Sequence, residues 1–88
     1  MVDIDWELMT KVVQDWAEWN GISPNDFAEK LGYTYQYAWN VLRGKGSVRD
    51  ETLGRLAIGF DIETLEDVLG EYWKRSEARA DSTFLTNL

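Results

Sequence analysis

Ser23-Pro24-Asn25-Asp26-Phe27-Ala28-Glu29-Lys30-Leu31-Gly32-Tyr33-Thr34 runs straight into Tyr35-Gln36-Tyr37-Ala38-Trp39-Asn40-Val41-Leu42-Arg43-Gly44-Lys45, and this stretch decides the fold. Ser23 can cap a helix, and Pro24 suits the first helical position, where its missing N–H costs nothing. Asp26 stands where a carboxylate bonds back to the cap. Phe27, Ala28 and Leu31 form the inward face, and Gly32 stops the helix because it accepts positive φ. Thr34 is the next cap, and the helix after it turns Tyr37, Ala38, Val41 and Leu42 inward before Gly44 ends it. Two short helices joined by a three- or four-residue turn containing glycine form a helix-turn-helix, with the second helix presented outward. Thr34, Tyr35, Gln36 and Asn40 then point away from the contact with the first.

Working outward, Leu8, Met9, Val12, Val13, Trp16, Ala17 and Trp19 or Asn20 recur at three- and four-residue steps. They predict an amphipathic helix over about 6–20, ended by Gly21. Beyond the open loop Gly44-Lys45-Gly46, Ser47 and Asp50 have capping-box spacing, which moves the start of a fourth helix to Ser47. Its stripe is Leu53, Leu56, Ala57 and Phe60, and it ends near Gly59–Asp61. Asp61 caps a fifth helix carrying Leu65, Val68, Leu69, Tyr72 and Trp73, with Glu71 and Arg75 as an i,i+4 pair. After Ala80 no helical stripe remains, so residues 81–88 read as a frayed tail or as an arm docking Phe84, Leu85 and Leu88. One proline and no period-2 stretch make the chain all-α. The expected layout is one domain over 1–88, with a helix-turn-helix core at 9–67, a C-terminal helix at 62–80 and a tail at 81–88.

Composition narrows the function. Forty-four per cent hydrophobic residues, with 5 Trp, 4 Tyr and 3 Phe in 88, suffice for a real core. Without Cys or His the chain has no disulfide or thiolate chemistry, and neither the commonest general base nor the commonest metal ligand. No catalytic residues, metal ligands or cofactor are expected, and the chain is not read as an enzyme. Gly44-Lys45-Gly46-Ser47 has part of the composition of a phosphate loop, but lacks the flanking strand and the remaining glycine spacing. Asp3 and Asp5 read as a solvated end. No apolar run approaches the roughly 20 residues of a membrane span, and the N-terminal residues lack the pattern of a secretory signal. A cytoplasmic protein is expected.

The net charge of −7 argues against a generic nucleic-acid coat. Resolved along the chain it is −4 over residues 1–21, +2 over 22–49, −2 over 50–62 and −3 over 63–88. The basic surplus coincides with the helix-turn-helix, clustered at Arg43, Lys45 and Arg49.

On Ile22-Ser23, Phe27 to Gly32, Val41 to Lys45 and Glu51-Thr52-Leu53-Gly54-Arg55-Leu56-Ala57, the sequence resembles the Cro/cI-type helix-turn-helix domain. This lambda-repressor-like family, also called the xenobiotic-response-element type, is found in phage and bacterial repressors and many antitoxins. The resemblance covers about two-thirds of the chain. It implies a five-helix Cro/cI-like fold and a small sequence-specific DNA-binding transcriptional regulator, repressor-like, in a bacterial or phage-infected cell. Helix 34–43 would read the major groove of an operator through Tyr35, Gln36, Trp39 and Asn40. Gln and Asn amides can pair bidentately with adenine, and the Thr34 or Tyr35 hydroxyl can reach a phosphate or base edge. Arg43 and Lys45 match phosphate-holding positions, and Ser23 and Asn25 offer a helix N-terminus to another phosphate. A homodimer would set two such helices about 34 Å apart. Counting Arg43, Lys45 and Arg49, it would neutralise roughly six phosphates.

The sequence also departs from that pattern. Tyr35, Tyr37 and Trp39 sit where polar residues are usual, and Trp39 can equally pack under the fifth helix or tail. The alternative function is an acidic protein-interaction module (antirepressor, antitoxin or RNA-polymerase-binding factor) using Tyr35, Tyr37 and Trp39. The fifth-helix stripe either covers the core or pairs with its twin.

Overall fold

Four of the five helices start at a side-chain cap within three residues. The computed structural model describes residues 3–86, with side chains described for 3–79, and has five helices and no strand among them. Helix α1 spans Trp6–Trp19, α2 Pro24–Leu31, α3 Tyr35–Arg43, α4 Asp50–Gly59 and α5 Ile62–Thr86. The Asp5 carboxylate caps α1 by accepting the Leu8 amide at 3.1 Å. Its other end closes through Gly21 at φ 65°, with the Ile22 amide donating to the Ala17 carbonyl and the Gly21 amide to that of Glu18. Ser23 and Asp26 form the expected capping box on α2, and Thr34 caps α3 by accepting the Tyr37 amide. Asp61 caps α5 by accepting the Thr64 amide at 2.7 Å.

Two boundaries differ from expectation. Helix α4 begins after Arg49, not at Ser47. Val48 is fully buried and its amide donates to the Thr10 hydroxyl at 2.8 Å, which holds this stretch extended until Asp50. Only the Thr52 hydroxyl, 3.5 Å from the Arg49 amide, reaches back toward the cap. Helix α5 runs on to Thr86, where a tail was expected from residue 81. Residues 76–86 contain no Gly or Pro to stop it. The side chains of Phe84, Leu85 and Leu88 lie outside the described residues, so the docking arm has no structural account. No described helix is long and apolar enough to cross a membrane.

The core gathers Met9, Val12 and Val13 of α1, Phe27 of α2, Val41 of α3, Leu56 of α4 and Val68 of α5 around the buried Val48. Trp16 stands edge-on to Phe60, with centroids 5.3 Å apart. Trp19 departs from the expected stripe and is exposed, its ring beneath the Arg75 guanidinium. Helix α5 covers the core with Val68 and Tyr72, which are buried, and with Leu65 and Leu69, which are half-buried. Ile62 and Trp73 of α5, with Ile58 of α4 at 88% exposure, stay outside.

Charged groups tie α5 to α1. Arg75 pairs with Asp15 at 2.8 Å and with Glu71 at 2.9 Å, so the expected Glu71–Arg75 pair extends across the helix interface. Asp5 receives Arg79 at 2.9 Å, while the Asp5 amide donates to the Tyr72 hydroxyl at 2.8 Å. The Leu8 amide and then the Arg79 side chain hold the Asp5 carboxyl below its ordinary value of 3.8. A carboxyl depressed on folding contributes stability above its unfolded pKa, and that contribution is lost as pH falls through the folded value. Urea midpoints should therefore drop below about pH 4, and Asp5→Asn should flatten that drop. A profile unchanged by the substitution contradicts the assignment.

Gly59 lies at a close approach of α4 to α2: a Cβ there would collide with the Lys30 carbonyl. Gly54, on the exposed side of α4, has open space instead. Gly59→Ala should cost about 1–3 kcal/mol. Gly54→Ala should add about 0.5–1 kcal/mol. Equilibrium denaturation of both variants tests the opposite signs.

Candidate nucleic-acid interface

The outward face of α3 depends on how both ends of the helix are held. At its start, Gly32 adopts φ 75° and ends α2. Arg55 of α4 donates to the carbonyls of Leu31 at 2.8 Å and Gly32 at 3.2 Å, filling acceptors that the end of α2 leaves open. The same guanidinium lies 4.5 Å from the centre of the Tyr33 ring. Tyr33 packs between Phe27 and Tyr37, and its hydroxyl shares a hydrogen bond with Thr52 at 3.3 Å. Burial pushes the Tyr33 phenol up, against the opposing Thr52 hydrogen bond, so it stays neutral near pH 7. At the far end, the Gln14 amide of α1 donates to the Val41 carbonyl at 2.8 Å. The amides of Gly44 and Gly46 both donate to the Asn40 carbonyl, folding the loop back onto the helix.

With Ala38 and Val41 fully buried, the opposite face carries Tyr35, Gln36, Trp39, Asn40 and Arg43, all exposed. Tyr35 is 56% exposed and Trp39 42%. The Gln36 and Asn40 amides bond to each other at 3.3 Å across one turn. Arg43 lies 5.5 Å from the Trp39 ring centre, a cation–π contact. Trp39 therefore does not pack under α5: among the described residues α3 and α5 make no contact. The reason is placement, since α5 lies against α1 and α4. Tyr37 does not belong to the surface expected of the alternative reading, because half of it is buried on the Tyr33 ring.

The remaining expected residues are placed unevenly. Thr34 is exposed, but its hydroxyl already accepts the Tyr37 amide. Ser23 is half-buried and spent in its capping box, whereas Asn25 is exposed. Ser23 and Arg43 border one surface depression of about 530 Å3, which also takes in Lys11, Asp15 and Glu18 of α1. Asp15 is neutralised by Arg75, but Glu18 has no ion pair among the described residues, so the α2 N-terminus is a poorer phosphate seat than expected. Lys45 and Arg49 border a second depression, again with Lys11.

Three residues at this site were not singled out from sequence. Arg55 and Gln14 act through backbone carbonyls, and no sequence pattern marks which carbonyl a long polar side chain will reach. Lys11 is the lone cation of the acidic 1–21 segment, and its place on the exposed face of α1, one turn from Gln14, was the available signal.

Gly46 is required by closeness rather than by φ: a Cβ would lie 3.0 Å from the Asn40 carbonyl carbon and the Val41 nitrogen. Gly46→Ala should displace the loop, cost about 1–3 kcal/mol, and shift the amide resonances of Asn40 to Lys45. Resonances unchanged outside residue 46 count against that close approach. The chain matches no family model, no curated protein and no solved structure.

Proposed function

We propose that this chain is a small sequence-specific DNA-binding regulator of the Cro/cI type, cytoplasmic in a bacterial or phage-infected cell, which inserts α3 into the major groove. The observation that carries this reading is the α3 face itself. Gln36, Asn40 and Arg43 stand exposed on a helix clamped at one end by Gln14 and positioned at the other by the Arg55-held turn. Preorganised side chains on a rigid element are what base readout requires. Gln36 and Asn40 supply amides for adenine, and Tyr35 and Trp39 supply apolar surface for thymine methyls. Arg43 and Lys45 take backbone phosphates. The chain acts by binding rather than by catalysis. The exposed Ile58, Ile62 and Trp73 support pairing of two copies, which would read two half-sites.

Selection of random duplex DNA at about 0.15 M salt should recover one enriched motif. On that motif Gln36→Ala should cost about 1–3 kcal/mol and relax preference at one base pair. Arg43→Ala should weaken all sequences alike and lower the salt slope by about 1 per protomer. Failure to enrich any motif, or full binding by a folded variant combining Gln36→Ala with Arg43→Ala, ends this reading.

A second reading has its own observation. Tyr35 and Trp39 form an exposed aromatic pair flanked by acidic segments, which suits a protein partner such as an antirepressor target or RNA polymerase. It predicts no enriched DNA motif and loss of a specific protein complex on Trp39→Ala.

A further inference from the structure

Along the outer side of α1 the charge changes sign twice. Asp5 and Glu7 come first, then Lys11, then Asp15 and Glu18. Between the acidic stretches lies an open groove of about 700 Å3. Trp6, Lys11 and Gln14 of α1 form one wall, and Lys45, Ser47 and Arg49 of the α3–α4 loop form the other. Three cations thus face one lining carboxylate, Glu7, in a chain of net charge −7. Among the described residues Lys45 and Arg49 make no ion pair, and Lys11 has only one, at 3.4 Å to an Asp15 carboxylate that Arg75 holds at 2.8 Å. The Lys11 end of that pair is exposed and free to turn to a stronger anion.

The loop wall is held firmly. Gly46 donates to the Asn40 carbonyl, Val48 donates to Thr10, and the Thr10 hydroxyl donates to the Trp6 carbonyl at 2.6 Å. The backbone amides of Lys45 and Ser47 make no hydrogen bond within the described residues. Two uncommitted N–H groups beside three cations suit phosphate oxygens.

We propose that this groove is a binding site for a free nucleotide, its phosphates among Lys11, Lys45 and Arg49 and its base against the Trp6 ring. The charge pattern selects a short anion over a polynucleotide strand. A strand following α1 would leave the groove beside Glu7 at one end and beside Glu18 at the other, carboxylates without an ion pair among the described residues, where like charge repels phosphate. The volume falls within the ~300–1,000 Å3 of small-molecule sites. Lys45 also belongs to the proposed DNA face, so an occupied groove draws it away from duplex phosphate. The site itself does not depend on the DNA reading and is tested without DNA.

The test is an amide- and indole-resolved NMR titration of the full chain with ADP, pyrophosphate and adenosine as separate probes, in about 0.15 M salt. ADP should give saturable shifts at the Lys45 to Ser47 amides and the Trp6 indole, pyrophosphate at the loop alone, and adenosine at neither. Lys45→Gln combined with Arg49→Gln should weaken ADP and pyrophosphate about tenfold or more. Trp6→Leu should weaken ADP and leave pyrophosphate unchanged. Because Trp6 is half-buried, Lys11→Gln, at an exposed position, supplies a further loss for both phosphate probes if Trp6→Leu does not fold. No saturable shift up to ~10 mM ADP, or affinity unchanged in the double variant, overturns the proposal. Equal binding of adenosine overturns the phosphate assignment, and a single-stranded oligonucleotide that outcompetes ADP overturns the short-anion assignment.

Discussion

A single guanidinium braces the turn between α2 and α3. Arg55 reaches from α4 to the last carbonyls of α2 and covers the Tyr33 ring that fills the turn. Without those donors, two acceptors at the end of α2 would depend on solvent alone, and the turn at Gly32, the residue with the greatest backbone freedom, would lose its brace. Arg55 also pairs with Glu51 one turn earlier on α4 at 2.9 Å, which helps aim it. The orientation of the α3 face is therefore set from outside the motif. Gln14, bonding the Val41 carbonyl from α1, plays the matching part at the other end.

The acidity of the chain takes on a second meaning in this light. Asp5 and Asp15, which make the first segment look hostile to nucleic acid, are occupied in binding Arg79 and Arg75 of α5. Much of that negative charge joins the first helix to the last, in pairs that remain partly exposed and so contribute modestly one by one. Asp3, Glu7 and Glu18 make no ion pair among the described residues, and Glu18 faces the depression beside Ser23 and Arg43.

The parts of the fold legible in the sequence were those governed by neighbouring residues. Ser23 with Asp26, Pro24, Thr34 and Asp61 announce helix starts because a cap and its amide lie within three positions. The α3 face was legible for the same reason, since Ala38 and Val41 fix which residues turn outward. What could not be read was decided by distant contacts. Ser47 has good capping chemistry, but burial of Val48 against α1 overrides it, and Thr10, thirty-eight positions away, receives the amide. Whether α5 would cover Trp39 was likewise not local, because it follows from where α5 lies. Gly59 read as a helix end, and its need to admit the Lys30 carbonyl appears only when α2 and α4 are brought together.

The bonds made by Asp5 also bear on when the molecule becomes complete. Its partners Tyr72 and Arg79 follow it by 67 and 74 residues, so the first helix receives these contacts only when α5 docks. The α2–α3 unit and its Arg55 brace span far fewer residues and can form before α5 docks. During that interval α1 would lack its covering helix, with Val12, Val13 and Trp16 waiting for Val68 and Tyr72. The folding chain would thus form its α3 face before its hydrophobic core has closed.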